Sequence, residues 1–131
     1  MNATVSWQQA LTFSGKTESG FSQTLDGNGE TLSPMETVLL AVGACSSIDV
    51  VDILKKRRLT IHDCQCELEA ERADEPPRVF TKIHAHYIVS GDNLKEKDVD
   101  RAVSLSAEKY CSVMLMLKGN VDITTSFTIV D

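Results

Sequence analysis

One stretch constrains this chain more than any other. It opens at Ser33-Pro34-Met35-Glu36 and runs through Val38-Leu39-Leu40-Ala41-Val42 to Ile48, Val50, Val51, Ile53 and Leu54. Ser33 is placed to cap free helical N–H groups, Pro34 has no N–H to lose at the first helical position, and Glu36 completes a capping box. The helix carries almost no polar face until Asp49 and Asp52, and Lys55 to Arg58 close it at the end where the dipole favours cations. A helix that is apolar all round must be buried on all sides. In a chain of 131 residues that means a helix wrapped by its own domain and by a partner copy.

The rest of the chain reads as strands around helices, in one domain over residues 1–131. Val5 and Trp7, Leu11 and Phe13, and Phe21 to Leu25 mark three short strands punctuated by glycines. After the long helix, Cys64, Cys66, Leu68 and Ala70 alternate with Asp63, Gln65, Glu67, Glu69 and Glu71, which is period-2 strand patterning. A turn at Ala73 to Pro77 leads to a return strand. There Val79, Thr81, Ile83, Ala85, Tyr87 and Val89 share one face, and Phe80, Lys82, His84, His86 and Ile88 the other. Asn93 with Glu96 signals a second helix, on which Val99, Ala102, Val103, Ser106 and Tyr110 recur at helical spacing. A short helix Ser112 to Leu117 and a final strand Val121 to Val130 follow, the latter with Val121, Ile123, Thr125, Phe127 and Ile129 inward. Segregated strands and helices indicate an α+β fold with antiparallel sheets.

The formal net charge is −6. An acidic surface argues against nucleic-acid binding, which needs a basic patch to displace phosphate counterions. The apolar run Val38 to Cys45 is too short to span a bilayer, and the N-terminus shows no export signal. The expectation is a cytoplasmic protein with no membrane partner. Cysteines are usually reduced in that compartment, so the four here suggest chemistry or packing rather than a disulfide framework.

Cys64 and Cys66 lie on an apolar strand face and read as core residues. A Cys-x-Cys metal arm without a second close pair is a weak zinc signal, so no metal is expected. His84 and His86 share a face with Lys82 and read as a surface pair. Cys45 sits among small residues in Gly43-Ala44-Cys45-Ser46-Ser47, which leaves room for something to approach. Taken alone it also fits as a core cysteine. Cys111, in Lys109-Tyr110-Cys111-Ser112, starts a short helix beside a lysine, where a thiolate is stabilised and its pKa falls.

These contexts carry a resemblance. Ser33-Pro34-Met35-Glu36, Gly43-Ala44-Cys45, Asp49-Val50-Val51 and Ile53-Leu54 resemble the first cysteine helix of the OsmC and organic hydroperoxide resistance superfamily. Arg101-Ala102-Val103, Leu105-Ser106 and Lys109-Tyr110-Cys111-Ser112-Val113 resemble its second cysteine segment, and Pro77 to Ile83 fits its hairpin. The pieces are most similar to the YhfA-like branch. The resemblance implies an intertwined homodimer in which sheets wrap two central helices. It implies that Cys45 attacks a small organic or fatty hydroperoxide and becomes a sulfenic acid, that Cys111 resolves it to a disulfide, and that an external dithiol of lipoyl type restores the pair, with no metal or flavin cofactor.

Two positions depart from the peroxidase branches of that superfamily, which use an N-terminal arginine and a glutamate ten residues before the first cysteine. The first arginine here is Arg57; Lys16 is the only early cation. Met35 stands ten residues before Cys45, and Glu36 falls about 180° from Cys45 around an ideal helix. Asp49, one turn after Cys45, would raise a neighbouring thiol's pKa unless it bonds elsewhere. Lys16, Glu36 and Asp49 are therefore the candidate supporting residues. The alternatives to a peroxidase are a redox-sensing or apolar-ligand protein that keeps the pocket without fast turnover, and, more weakly, a metal module built on Cys64, Cys66 and histidines.

Overall fold

The computed structural model describes residues 1–130, which form two compact units, one to Leu40 and one from Ala41 onward. The first unit begins with strands β1 (Ala3–Gln9), β2 (Thr12–Thr17) and β3 (Ser22–Asp26), an antiparallel meander in the order β1-β2-β3. The carboxylate of Asp26 is buried and accepts the Glu30 N–H at 2.8 Å and the Thr12 hydroxyl at 3.1 Å. Those bonds hold it below the usual carboxylate range, the Glu30 amide most of all.

Helix α1 (Pro34–Lys56) starts where the capping residues place it. The Glu36 N–H donates to Ser33 Oγ at 3.1 Å and the Ser33 N–H donates to the Glu36 carboxylate at 3.0 Å, the reciprocal pair of a capping box. At the other end Arg58 takes φ 62°. The Leu59 N–H reaches Leu54 O at 3.1 Å and the Arg58 N–H reaches Lys55 O at 2.8 Å. This is a Schellman stop with arginine in the left-handed position that usually belongs to glycine.

In the second unit, β4 (Thr60–Arg72), β5 (Phe80–Asp92) and β6 (Asp122–Val130) form a sheet in that order. Between β5 and β6 come α2 (Glu96–Leu105), a π-helical turn (Ser106–Tyr110) and α3 (Ser112–Leu117). The core holds Val42, Val50 and Leu54 of α1, Ile83, Ala85, Tyr87 and Val89 of β5, Val99, Ala102 and Val103 of α2, and Met114 of α3. Each valine, leucine, isoleucine or methionine among them contributes about 1.5–3 kcal/mol by leaving water. Gly43 marks a close approach: a Cβ there would lie 2.7 Å from Leu68 Cδ1 on β4.

Several expectations are corrected. The sheet is mixed, because β6 runs parallel to β5. The helical segment between them carries the chain back before β6 begins, and such a crossover permits parallel pairing where a hairpin would not. Phe80 is buried while Val79 is 51% exposed, the reverse of simple alternation. The register shifts from Arg72↔Phe80 to Glu71↔Lys82, and the extra residue of this bulge flips the face. Asn93 does not cap α2; it takes φ 55°, and the helix starts after Lys95 with no side-chain cap. Tyr110 is 51% exposed rather than core, since the π turn breaks the α-helical phase that would have carried it inward.

Helix α1 is also not enclosed all round within the described residues. Val42, Gly43, Ser46, Val50 and Leu54 are buried, whereas Ala44 is exposed and Ile48 is 68% exposed. By length and composition α1 could cross a membrane, since it contains an 18-residue window with a mean hydropathy of 1.9. The run Val38 to Cys45 understated this. Ser46 and Asp49 on the same helix are hydrogen-bonded to groups of the second unit, as in a core helix.

Candidate thiol site

The second unit brings Cys45 and Cys111 together. Cys45 is half-buried on α1, and Cys111 is fully buried at the junction of the π turn and α3. The Cys45 side chain lies close enough to Cys111 to raise the pKa of its thiol. The local chain explains the position of Cys111. Its N–H donates to Ser106 O at 2.7 Å, an i→i−5 bond, and its own backbone is extended where α3 begins. Its sulfur then accepts the Met114 N–H at 3.4 Å, capping α3.

Burial pushes the Cys111 thiol up to about 11, the contacts from Cys45 push the same way, and the Met114 and Val113 amides only partly offset this. A depressed Cys111 pKa is therefore corrected. The helix-start amides do pull downward, but desolvation of the thiolate outweighs them. Cys111 therefore stays a thiol at neutral pH.

A polar network surrounds the pair. The Tyr87 hydroxyl on β5 donates to Ser46 Oγ at 2.6 Å, and Ser46 Oγ donates back to Val42 O at 2.7 Å. Ser106 Oγ donates to Asp49 Oδ2 at 2.9 Å and lies 3.3 Å from Ser46 O. Asp49 is thus held by a hydroxyl of the π turn, the bond elsewhere that sequence reasoning left open. Ser106 ties that carboxylate to the segment that positions Cys111. Tyr87, Ser46 and Ser106 were not among the candidate site residues. The available signal was that all three are polar at core-facing positions, and buried polar groups need partners.

The other candidates have surroundings of their own. Glu36 serves the capping box, and its carboxyl is held below the usual range by the Ser33 N–H and hydroxyl. Lys16 is exposed on β2, opposite Thr4 and Ser22. Cys64 and Cys66 are half-buried on one face of β4, and burial raises both thiols. The nearby Ser47 and Tyr87 side chains partly offset the rise at Cys66. His84 and His86 form a chain with β6: Thr124, His84, Ser126, His86 and Thr128 are linked in series at 2.6–2.9 Å. Among the described residues, no three His, Cys, Asp or Glu side chains converge in a way that would hold a metal ion.

Two cysteines from separate helices meeting beside a mixed sheet define a protein of the OsmC-like class, and the chain belongs to the OsmC-like protein family, with residues 27–126 matching. It is 52% identical to Protein YhfA of Escherichia coli K12 over 99% of this chain and 98% of that protein. A crystal structure of a hypothetical protein from Aquifex aeolicus VF5 is 33% identical, covers 98% of this chain and 95% of its own, and superposes with a TM-score of 0.90. The organic hydroperoxide resistance protein OhrB of Bacillus subtilis shares the fold at 18% identity, with 98% of each chain covered and a TM-score of 0.66.

Proposed function

We propose that this protein reduces organic hydroperoxides with a two-thiol cycle. The observation that carries the reading is the contact between Cys45, half-exposed, and Cys111, fully buried and protonated. A nucleophile must be reachable by substrate, and a resolving thiol must wait beside it. The Cys45 thiolate attacks the distal peroxide oxygen. An S–O bond forms, the O–O bond breaks, and the leaving alkoxide takes up a proton to become an alcohol. Cys111 then gives up its proton and attacks the Cys45 sulfur; the S–S bond forms, the S–O bond breaks, and water leaves. An external dithiol of lipoyl type reduces the disulfide in two electrons.

The active form in this reading is a homodimer. Its support is the uncovered side of α1, where Ile48 and Val51 line a hollow of about 430 Å³ with Cys64. A cytoplasmic setting would keep all four cysteines reduced between turnovers.

The test treats reduced protein with cumene hydroperoxide or a fatty-acid hydroperoxide, maps the disulfide by mass spectrometry, and follows turnover with reduced lipoamide. Rapid Cys45–Cys111 closure that Cys45→Ala abolishes is the expected result. One observation favours a second reading, redox sensing or apolar-ligand binding without fast turnover. The raised pKa of Cys111 near 11 leaves little thiolate for the resolving step at neutral pH. Thiols that remain reduced under excess peroxide would select apolar-ligand binding and exclude the peroxidase.

A further inference from the structure

Ser106 touches both thiol-bearing segments. It opens the π turn and is buried. On the Cys111 side its carbonyl accepts the Cys111 N–H at 2.7 Å, the bond that closes the turn. On the Cys45 side its hydroxyl donates to Asp49 Oδ2 at 2.9 Å and lies 3.3 Å from Ser46 O. Ser46 follows Cys45 directly, and Asp49 lies one turn after it on α1. Both contacts on α1 therefore fall within about a turn of the Cys45 sulfur.

A π turn is a local departure from α-helical winding, and such departures concentrate at functional sites. Here the chain leaves the turn at Cys111 with extended backbone, φ −73° and ψ 104°. The Met114 N–H then meets the Cys111 sulfur from the α3 side at 3.4 Å. Ser106 supplies the polar tie in the other direction, across to α1. A disulfide needs Cα atoms roughly 4.4–6.8 Å apart with the side chains turned toward each other. When two groups are held for reaction, a misplacement of about 1 Å can cost on the order of a hundredfold. A tie anchored at the Cys111 amide and within a turn of Cys45 acts on that separation directly.

We propose that Ser106 is a positioning residue for disulfide closure: through Asp49 and Ser46 on one side and the Cys111 amide on the other, its bonds hold Cys45 and Cys111 at bonding approach, while the attack of Cys45 on peroxide does not depend on them. The inference deepens the hydroperoxide reading and rests on it for the physiological oxidant, but closure itself is measured without peroxide.

The full-length protein is equilibrated with reduced and oxidised glutathione, and the closed fraction is read by alkylation and mass spectrometry. Closure forms the protein S–S bond, breaks that of oxidised glutathione, and passes two electrons and two protons to two glutathione thiols. Ser106→Ala keeps the carbonyl and loses the hydroxyl. It lowers the closure constant about tenfold, which is about 30 mV in potential. Ser106→Thr, which keeps the hydroxyl, restores it. Asp49→Ala lowers the constant as Ser106→Ala does, and the double variant loses no more than either single one, because both remove the same tie. Ser33→Ala removes the cap of α1; it destabilises the helix start and leaves the closure constant unchanged, so a general loss of stability does not imitate the effect. With cumene hydroperoxide, Ser106→Ala closes the disulfide at least about tenfold more slowly, yet in a Cys111→Ser background it forms the dimedone-trapped Cys45 sulfenic acid at an unaltered rate. A closure constant unmoved by Ser106→Ala, one that falls equally in Ser106→Thr, or losses that add in the double variant overturn the proposal. The glutathione shifts without any reaction with peroxide uphold the role of Ser106 and remove only the peroxidase reading. Peroxide turnover with unshifted glutathione equilibria does the reverse.

Discussion

The Tyr87 hydroxyl on β5 donates to Ser46 Oγ on α1 at 2.6 Å, in the core of the second unit. Burial raises the phenol above its usual range, so it remains a donor across physiological pH. The bond ties the sheet to the helix one residue after Cys45 and thereby fixes how α1 is rotated. Tyr87→Phe removes the donor, while Ser46 Oγ keeps its bonds to Val42 O and Gly43 O. The expected loss is about 1 kcal/mol, the net value of one hydrogen bond. A urea midpoint that falls with an unchanged slope checks it; an unchanged midpoint would show that the bond contributes nothing.

Ser106→Ala should cost more than that. It removes the hydroxyl from Asp49 at 2.9 Å and leaves a half-buried carboxylate without its donor. The expected destabilisation is about 1–3 kcal/mol. The double variant Ser106→Ala with Asp49→Asn should recover part of it, because no bare charge remains. Additive losses in that pair would count against the coupling.

Peroxide chemistry should separate the two thiols. In Cys111→Ser, one equivalent of hydroperoxide should leave Cys45 as a sulfenic acid that dimedone captures, with no disulfide. In Cys45→Ser, Cys111 should stay unmodified on the same timescale, since it is fully buried and its pKa is near 11. Mass spectrometry of dimedone adducts reads both outcomes, and adducts on Cys111 but not on Cys45 would exchange the roles.

Stability should fall in mildly alkaline solution. The folded-state pKa of Cys111 is raised from 9.0 to about 11, with burial the largest cause. A raised pKa means the folded protein favours the neutral thiol. Its contribution is present below about 9 and is lost as pH climbs toward 11, because the unfolded chain ionises first. Cys111→Ser should therefore flatten the fall in melting temperature between those pH values. A wild-type profile as flat as that of the variant would refute the assignment.

Much of this molecule was legible from residue order. Ser33, Pro34 and Glu36 announced the start of α1, and the capping box is there. The alternation from Cys64 to Ala70 gave a face of β4 that is half-buried as far as Leu68 and exposed at Ala70, and Cys111 does start α3. What failed did so at bulges and turns. Phe80 and Tyr110 lie where one extra residue changes the phase of a strand or a helix, and periodicity has no symbol for an insertion of that kind.

Local patterning determined the elements and their faces, because capping, alternation and turn chemistry act over a few residues. Tertiary structure alone decided that β6 would pair parallel to β5, that Ser106 would take up Asp49, and that Cys111 would lie beside Cys45 in a place dry enough to hold its proton. Those outcomes depend on contacts between residues some 40 to 66 positions apart in the chain, and on the desolvation that enclosure imposes. Neither is carried by the identity of a residue or of its immediate neighbours.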